Sequence, residues 1–153
     1  MNKSNQILIK KANVADLPEI YLLLEELNLP ITGLSEHLDN FILSIHNNMI
    51  TGIIGLEMYG KIALLRSVGV RSSYQGQRIG DDLMMAIQEY AKFKSVERIY
   101  LFTDTAEKWF EQYGFNKISN DQLDPILQRS KEYSLCESSV KMLKTSKALE
   151  GYK

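Results

Sequence analysis

The sequence predicts an α/β fold of the α+β kind, with a mixed, mostly antiparallel sheet flanked by helices. Three observations lead there. Residues 41–70 hold three β-prone runs separated only by tight-turn residues, residues 79–93 switch to a helical period, and strand-like and helical runs then alternate toward the C-terminal region. With 153 residues and 44% hydrophobic content the chain suffices for one compact core, so a single domain over 1–153 is expected, with a polar tail at about 145–153.

The elements follow in order. Gln6–Ala12 is a short β-prone run. Asn13, with Asp16 and Pro18 behind it, signals a helix start, and Leu17, Ile20, Tyr21, Leu24 and Leu27 recur at helical spacing. Asn28–Gly33 breaks that helix, and Leu34–Asp39 is at most a short second one. From Phe41 the chain reads as an antiparallel meander of three strands, with Asn47-Asn48 and Tyr59-Gly60 as its turns. Ile79, Leu83, Ala86, Ile87 and Tyr90 share one face of a helix over 79–93. Glu97–Thr103 is strand-like, Asp104 with Glu107 resembles a capping box opening a helix over 105–113, and Gly114 is placed to end it. Phe115–Ile118 is a candidate strand, Asp121–Tyr133 a candidate helix with Pro125 in its first turns, and Ser138–Leu143 a candidate strand to close the sheet.

Composition excludes several function classes. Eighteen Lys and Arg against nineteen Asp and Glu leave a formal charge of −1, so no broad basic face points to nucleic acid. Cys136 stands alone, and His37 and His46 lack companions at ligand spacing, so neither a disulfide nor a metal site is expected. No run reaches the ~18 apolar residues of a membrane span, and the N-terminus does not read as a signal peptide. A soluble, cytoplasmic protein is the expectation.

The stretch YQGQRIGDDL, residues 74–83, opens the long helix. A helix N-terminus presents backbone N–H groups without internal partners and the positive end of the helix dipole, which suits phosphate oxygens. Gly76 and Gly80 allow close approach, and Gln77 and Arg78 add donors. The bland alternative is that Asp81 and Asp82 satisfy the helix end and the glycines only turn the chain. A dinucleotide site would need a third glycine after the first strand of a βαβ unit, and a P-loop would need Gly-Lys-Ser/Thr; neither is present.

LLRSVGVRSSYQGQRIGDDLMMAIQEYA followed by RIYLFTDTAEKWFEQYGF resembles the central half of the Gcn5-related N-acetyltransferases (GNAT). Their loop motif, Gln/Arg-x-x-Gly-x-Gly/Ala, is matched by Gln75 and Gly80, while Arg78 stands where the family usually has its first glycine. GLEMYGKIALLRSVGV, TDTAEKWF and RSKEYSLCESS resemble the acetyltransferases encoded with arsenic-resistance genes and, more distantly, the catalytic domain of N-acetylglutamate synthase. The resemblance implies acetyl-CoA as cosubstrate: its pyrophosphate on the loop Gln75, Gly76, Gln77, Arg78, Ile79, Gly80 and Asp81, its pantetheine arm along Val68 and Val70, and Phe110 on the cofactor side. It also implies direct attack of an amine on the thioester. The Val68 N–H is then the candidate oxyanion donor and Glu57 the candidate base, with a solvated strand-end Glu as the alternative reading.

The family's usual acid, a tyrosine four residues before the glycine of the Gly-Phe pair, is Phe110 here, which cannot give a proton. Arg66 shares a strand face with Ile62, Leu64 and Val68, so it either bridges to a carboxylate such as Glu57 or binds an anionic substrate group. Arg129 and Ser130, in a segment resembling the amino-acid-binding part of N-acetylglutamate synthases, are further candidates for substrate. The expected activity is N-acetylation of a small amine, preferably an amino acid or amino-acid-like toxic compound. The alternatives are a peptide N-terminal or polyamine acetyltransferase and a noncatalytic acyl-CoA-binding sensor. A homodimer is expected by analogy with the family alone.

Overall fold

A computed structural model describes residues 6–146; of the expected polar tail, residues 147–153 lie outside the described residues. Strand β1 (Leu8–Lys11) leads into a 3-10 turn (Val14–Asp16) and helix α1 (Leu17–Glu26). The start signal read at Asn13 is a complete capping box. Its side chain accepts the Ala15 N–H at 3.0 Å, and the Asp16 carboxylate accepts the Asn13 N–H at 2.8 Å. Pro18 sits in the first turn of α1, where a missing N–H is harmless.

A seven-residue 3-10 segment (Leu34–Asn40) precedes β2 (Phe41–His46), β3 (Met49–Tyr59) and β4 (Ile62–Val70). Asn47 and Asn48 both take positive φ, 52° and 61°, which suits a two-residue hairpin joining twisted strands. The second turn falls one residue later than expected, at Gly60-Lys61, and Tyr59 ends β3. Helix α2 (Ile79–Phe93) has the predicted limits. Strand β5 (Arg98–Thr103), helix α3 (Glu107–Glu111), β6 (Asn116–Ile118) and β7 (Val140–Thr145) complete the described elements.

The sheet order is β1-β2-β3-β4-β5-β7-β6. β1 pairs with β2, β2 with β3, β5 with β7 and β6 with β7, all antiparallel, whereas β4 and β5 run parallel. The mixed, mostly antiparallel α/β arrangement expected from the sequence is the one observed.

Three local expectations need correction. Asp104 does not cap α3: it accepts a hydrogen bond from the Ser139 hydroxyl at 2.7 Å, and the Ala106 N–H goes instead to Thr103 Oγ1 at 3.1 Å. Residues 121–133 form no α-helix. Short 3-10 turns over Asn120–Gln122, Pro125–Arg129 and Tyr133–Cys136 replace it, because Ser119 and Asp124 each cap a new start and Pro125 lacks the N–H a continuous helix would need. The strand expected at Ser138–Leu143 lies two residues later, at Val140–Thr145, where it joins the sheet between β5 and β6.

The described residues divide into two compact units, one within Met1–Leu56 and Ser67–Glu89, the other within Glu57–Arg66 and Tyr90–Lys153. In the first, Ile20, Leu23 and Leu24 of α1 pack with Leu34, Phe41, Leu43, Ile50 and Ile53. Gly55 lies opposite Phe41 in the ladder, and a Cβ there would fall 2.3 Å from the ring carbons. In the second, Leu64, Tyr100 and Leu127 form a buried cluster, with Ile62, Phe102, Leu123, Ile126, Tyr133 and Leu143 around it. The 3-10 turns between β6 and β7 therefore contribute apolar side chains to this unit's core.

Candidate functional site

Within the first unit, β4 changes character at Ser67, whose φ of 58° lies in the left-handed region that a non-glycine residue adopts at a cost of about 1–2 kcal/mol. The parallel ladder to β5 runs from Ile62↔Arg98 to Leu65↔Leu101 and includes no residue after Leu65. Val68 and Val70 thus lie beyond that ladder, both half-buried. Gly69 is held by packing rather than by φ: a Cβ would approach Leu27 Cδ1 to 2.6 Å and Leu29 Cδ1 to 3.2 Å. The distortion of β4 is therefore centred on Ser67.

Arg71 anchors the chain as it leaves β4. Its guanidinium donates to the Ile50 carbonyl at 2.9 and 3.2 Å and pairs with Glu26 at 3.1 Å. Tyr74, in the 3-10 turn Ser72–Tyr74, shares a 2.6 Å hydrogen bond with His46 Nδ1. Between these anchors and α2 lies the loop. Gln75, Gly76, Gln77 and Arg78 are all exposed, and the Gln75 amide folds back to donate to the Val70 carbonyl at 3.0 Å.

Gly76 has φ 86°, and a Cβ there would meet nothing within 4 Å. Arg78, where the motif expects glycine, adopts φ 65°, so the arginine takes the left-handed conformation that glycine would supply freely. Its carbonyl accepts the Asp82 N–H at 3.1 Å, the first helical bond of α2. Ile79 is buried, while Gly80 and Asp81 are half-buried. An exposed loop of left-handed residues, with open space over Gly76 and a guanidinium at the start of a 15-residue helix, fits an anionic diphosphate.

The second unit holds a buried charge cluster. Arg66 donates through Nη1 to Glu57 Oε2 at 2.8 Å, and its Nη2 lies 3.2 Å from Glu132 Oε2. The side chains of Arg66, Glu57 and Glu132 are 0%, 1% and 8% exposed, so this is an interior triad. Tyr59 donates its hydroxyl to Glu57 Oε1 at 2.5 Å. Its phenol is raised well above the ordinary tyrosine range by burial and then by the Glu57 carboxylate, partly offset by a hydrogen bond from Ser130. Ser130 is buried and its Oγ accepts the Glu132 N–H at 3.1 Å, which locks the turn that presents Glu132. Burial pushes the Glu132 carboxyl up to about 7, with Arg66 opposing and Glu57 adding to the rise.

Of the two readings of Arg66, the structure shows the bridge to Glu57, and both terminal nitrogens are engaged by carboxylates. Glu57 is buried, not a solvated strand-end residue. Ser130 belongs to the same cluster. Arg129 is exposed and appears in none of these contacts. Phe110 is buried edge-to-face against Trp109 and Phe115, with ring centroids 5.0 and 6.0 Å apart. Tyr113 is buried beside Trp109.

Two cluster members escaped the sequence reading. Tyr59 was read as a turn residue. Glu132 lies far along the chain from Arg66, and its one available signal was a carboxylate in a segment otherwise supplying apolar residues to a core. Among the described residues no group of three or more His, Cys, Asp or Glu side chains could hold a metal ion, and no helix is long and apolar enough to cross a membrane.

Known proteins resemble the chain throughout this region. A family model of the acetyltransferase (GNAT) domain matches residues 37–117, more than half of the chain. An amino-acid acetyltransferase from Pasteurella multocida (strain Pm70) is 28% identical over 116 residues, 70% of this chain and 26% of that protein. The chain spans about a quarter of the length of the curated relatives it matches. Among solved structures, N-acetylglutamate synthase from Neisseria gonorrhoeae, complexed with coenzyme A and N-acetyl-glutamate, superposes with a TM-score of 0.78 at 22% identity, covering 92% of this chain and 35% of that one. A GNAT-family acetyltransferase from Staphylococcus aureus Mu50 gives 0.74 at 21% identity, covering 92% and 99%. With the loop, the distorted strand and the family match on one stretch of sequence, the chain belongs to the GNAT acetyltransferases.

Proposed function

We propose that this protein transfers an acetyl group from acetyl-CoA to the amine of a small molecule, an amino acid or amino-acid-like compound, by direct attack. Family membership makes acetyl-CoA the acyl donor, and when bound it supplies an activated thioester. The observation that carries the reading is the exposed loop Gln75–Arg78, with Gly76 and Arg78 left-handed, leading into Ile79 and Gly80 at the start of α2. In this reading the loop amides and the Arg78 guanidinium bind the diphosphate, and the backbones of Val68 and Val70, beyond the parallel ladder, bind the pantetheine arm. The Val68 N–H stabilises developing oxyanion charge.

Glu57 takes the proton that the substrate ammonium must lose, directly or through water, before the free amine attacks the thioester carbonyl and CoA leaves as the thiolate. Arg66 holds the Glu57 carboxylate in place through its 2.8 Å hydrogen bond. Its two terminal nitrogens already face Glu57 and Glu132, so a substrate carboxylate would have to compete with them. Of the residues considered for that carboxylate, Arg129 is the exposed one. The choice of an amino-acid acceptor is supported by the curated amino-acid acetyltransferases. A noncatalytic acyl-CoA sensor is the second reading, favoured by Phe110 at the family's usual tyrosine position and by its burial among Trp109 and Phe115.

Calorimetry with acetyl-CoA and thiol release across amino acids, peptides and polyamines test both. Binding followed by turnover with an amino acid is expected. Binding without turnover of any amine selects the sensor, and no binding at millimolar acetyl-CoA rejects both. Glu57→Gln is expected to lower kcat by about 10²–10⁴ while leaving acetyl-CoA affinity unchanged.

A further inference from the structure

Two buried carboxylates share one guanidinium in the second unit, yet a base needs only one. Glu57 Oε2 lies 2.8 Å from Arg66 Nη1 and Glu132 Oε2 lies 3.2 Å from Arg66 Nη2. Glu132 arrives from the 3-10 turns between β6 and β7, which the sheet does not require. Its backbone is fixed by the Ser130 hydroxyl, and the neighbouring Tyr133 ring packs edge-on against Phe102 at 6.3 Å. Burying a carboxylate is costly unless it is paired, and a pair of carboxylates on one cation is less well compensated than a single one. A chain needing only to neutralise Arg66 would do so with Glu57 alone.

We propose that Glu132 is a positioning residue for acetyl transfer: by holding the second arm of Arg66 it sets where that guanidinium sits and how firmly it grips the Glu57 carboxylate. The proposal rests on Glu57 acting as the base. The charged and titratable groups facing the pair are Arg66 from β4, Glu57 and Tyr59 from β3, and Cys136 from the turn that follows Glu132, a thiol raised by burial first and by Glu132 second. Glu132 acts on Glu57 in two ways. Its charge repels that of Glu57, and it divides the attraction of Arg66. Both act on where the Glu57 carboxylate points and how tightly it is held when it takes the proton.

The test is Glu132→Gln in the whole chain. With the carboxylate that holds Arg66 Nη2 gone, the guanidinium positions Glu57 less well, and kcat is expected to fall by about 10-fold. Acetyl-CoA affinity in calorimetry should stay unchanged, a split between kcat and binding that lost packing would not produce. Glu132→Asp keeps the carboxylate and withdraws it by one methylene, and it should give a smaller loss of kcat. If Glu132→Gln does not fold, Glu132→Asp serves alone. An unchanged kcat in a folded variant would overturn the proposal. So would a loss of acetyl-CoA affinity as large as the loss of kcat. Absence of turnover by the unaltered protein with every amine would instead overturn the acetyl-transfer reading, and this proposal with it.

Discussion

At the scale of single residues, Arg78 is a compromise between backbone and ligand. Its φ of 65° is disfavoured for any residue with a Cβ, while its exposed guanidinium stands at the positive end of α2. Arg78→Gly should therefore separate the two effects. Stability is expected to rise by up to about 1 kcal/mol in urea unfolding, as left-handed strain is relieved against the extra backbone freedom of glycine. Acetyl-CoA affinity is expected to fall by roughly 3- to 10-fold in calorimetry, since an exposed charge-assisted contact is worth about 1 kcal/mol. Unchanged affinity would remove Arg78 from the diphosphate site. The loop motif was legible in the sequence because Gln75 and Gly80 keep their spacing, and the departure at Arg78 proves compatible with the same backbone shape. Glu132 was not legible, because nothing local marks which distant cation a carboxylate will meet.

Elements were legible where the signal was local. Helix α2 announced its limits through period, and the Asn47-Asn48 turn through residues that tolerate positive φ. Residues 121–133 misled because apolar spacing there serves a core contact of 3-10 turns, each with its own cap, rather than one helical face. Asp104 misled because a capping pattern is a statement about four residues, and Ser139, thirty-five positions away, took the carboxylate. The meander itself depends on a close fit at Gly55, where a Cβ would fall 2.3 Å from the Phe41 ring. Gly55→Ala is expected to destabilise the fold by about 2–3 kcal/mol through overpacking, measured by urea unfolding. A second change, Phe41→Leu, should recover part of that loss by opening space on the facing strand.

For the molecule as a whole, the buried triad makes stability depend on pH in a direction opposite to that of most acidic residues. The Glu132 carboxyl sits at about 7 in the folded chain against an ordinary 4.5, so the folded state binds this proton more tightly than the unfolded state does. Its contribution is therefore most favourable below about 4.5, declines as pH rises toward about 7 and is constant above. The full swing is on the order of 3 kcal/mol. Urea unfolding of the wild type and of Glu132→Gln across that window should show the component in the first and not in the second; parallel curves would show that Glu132 is not held in its raised state.

The outermost strands of the sheet are brief, four residues in β1 and three in β6. A second polypeptide approaching either margin could recruit only a few main-chain partners before the template ran out, and Lys10, Lys11 and Lys117 would meet it with positive charge. Lateral growth into a continuous intermolecular sheet is thereby discouraged, and the surfaces to search for self-association are those of helices and loops.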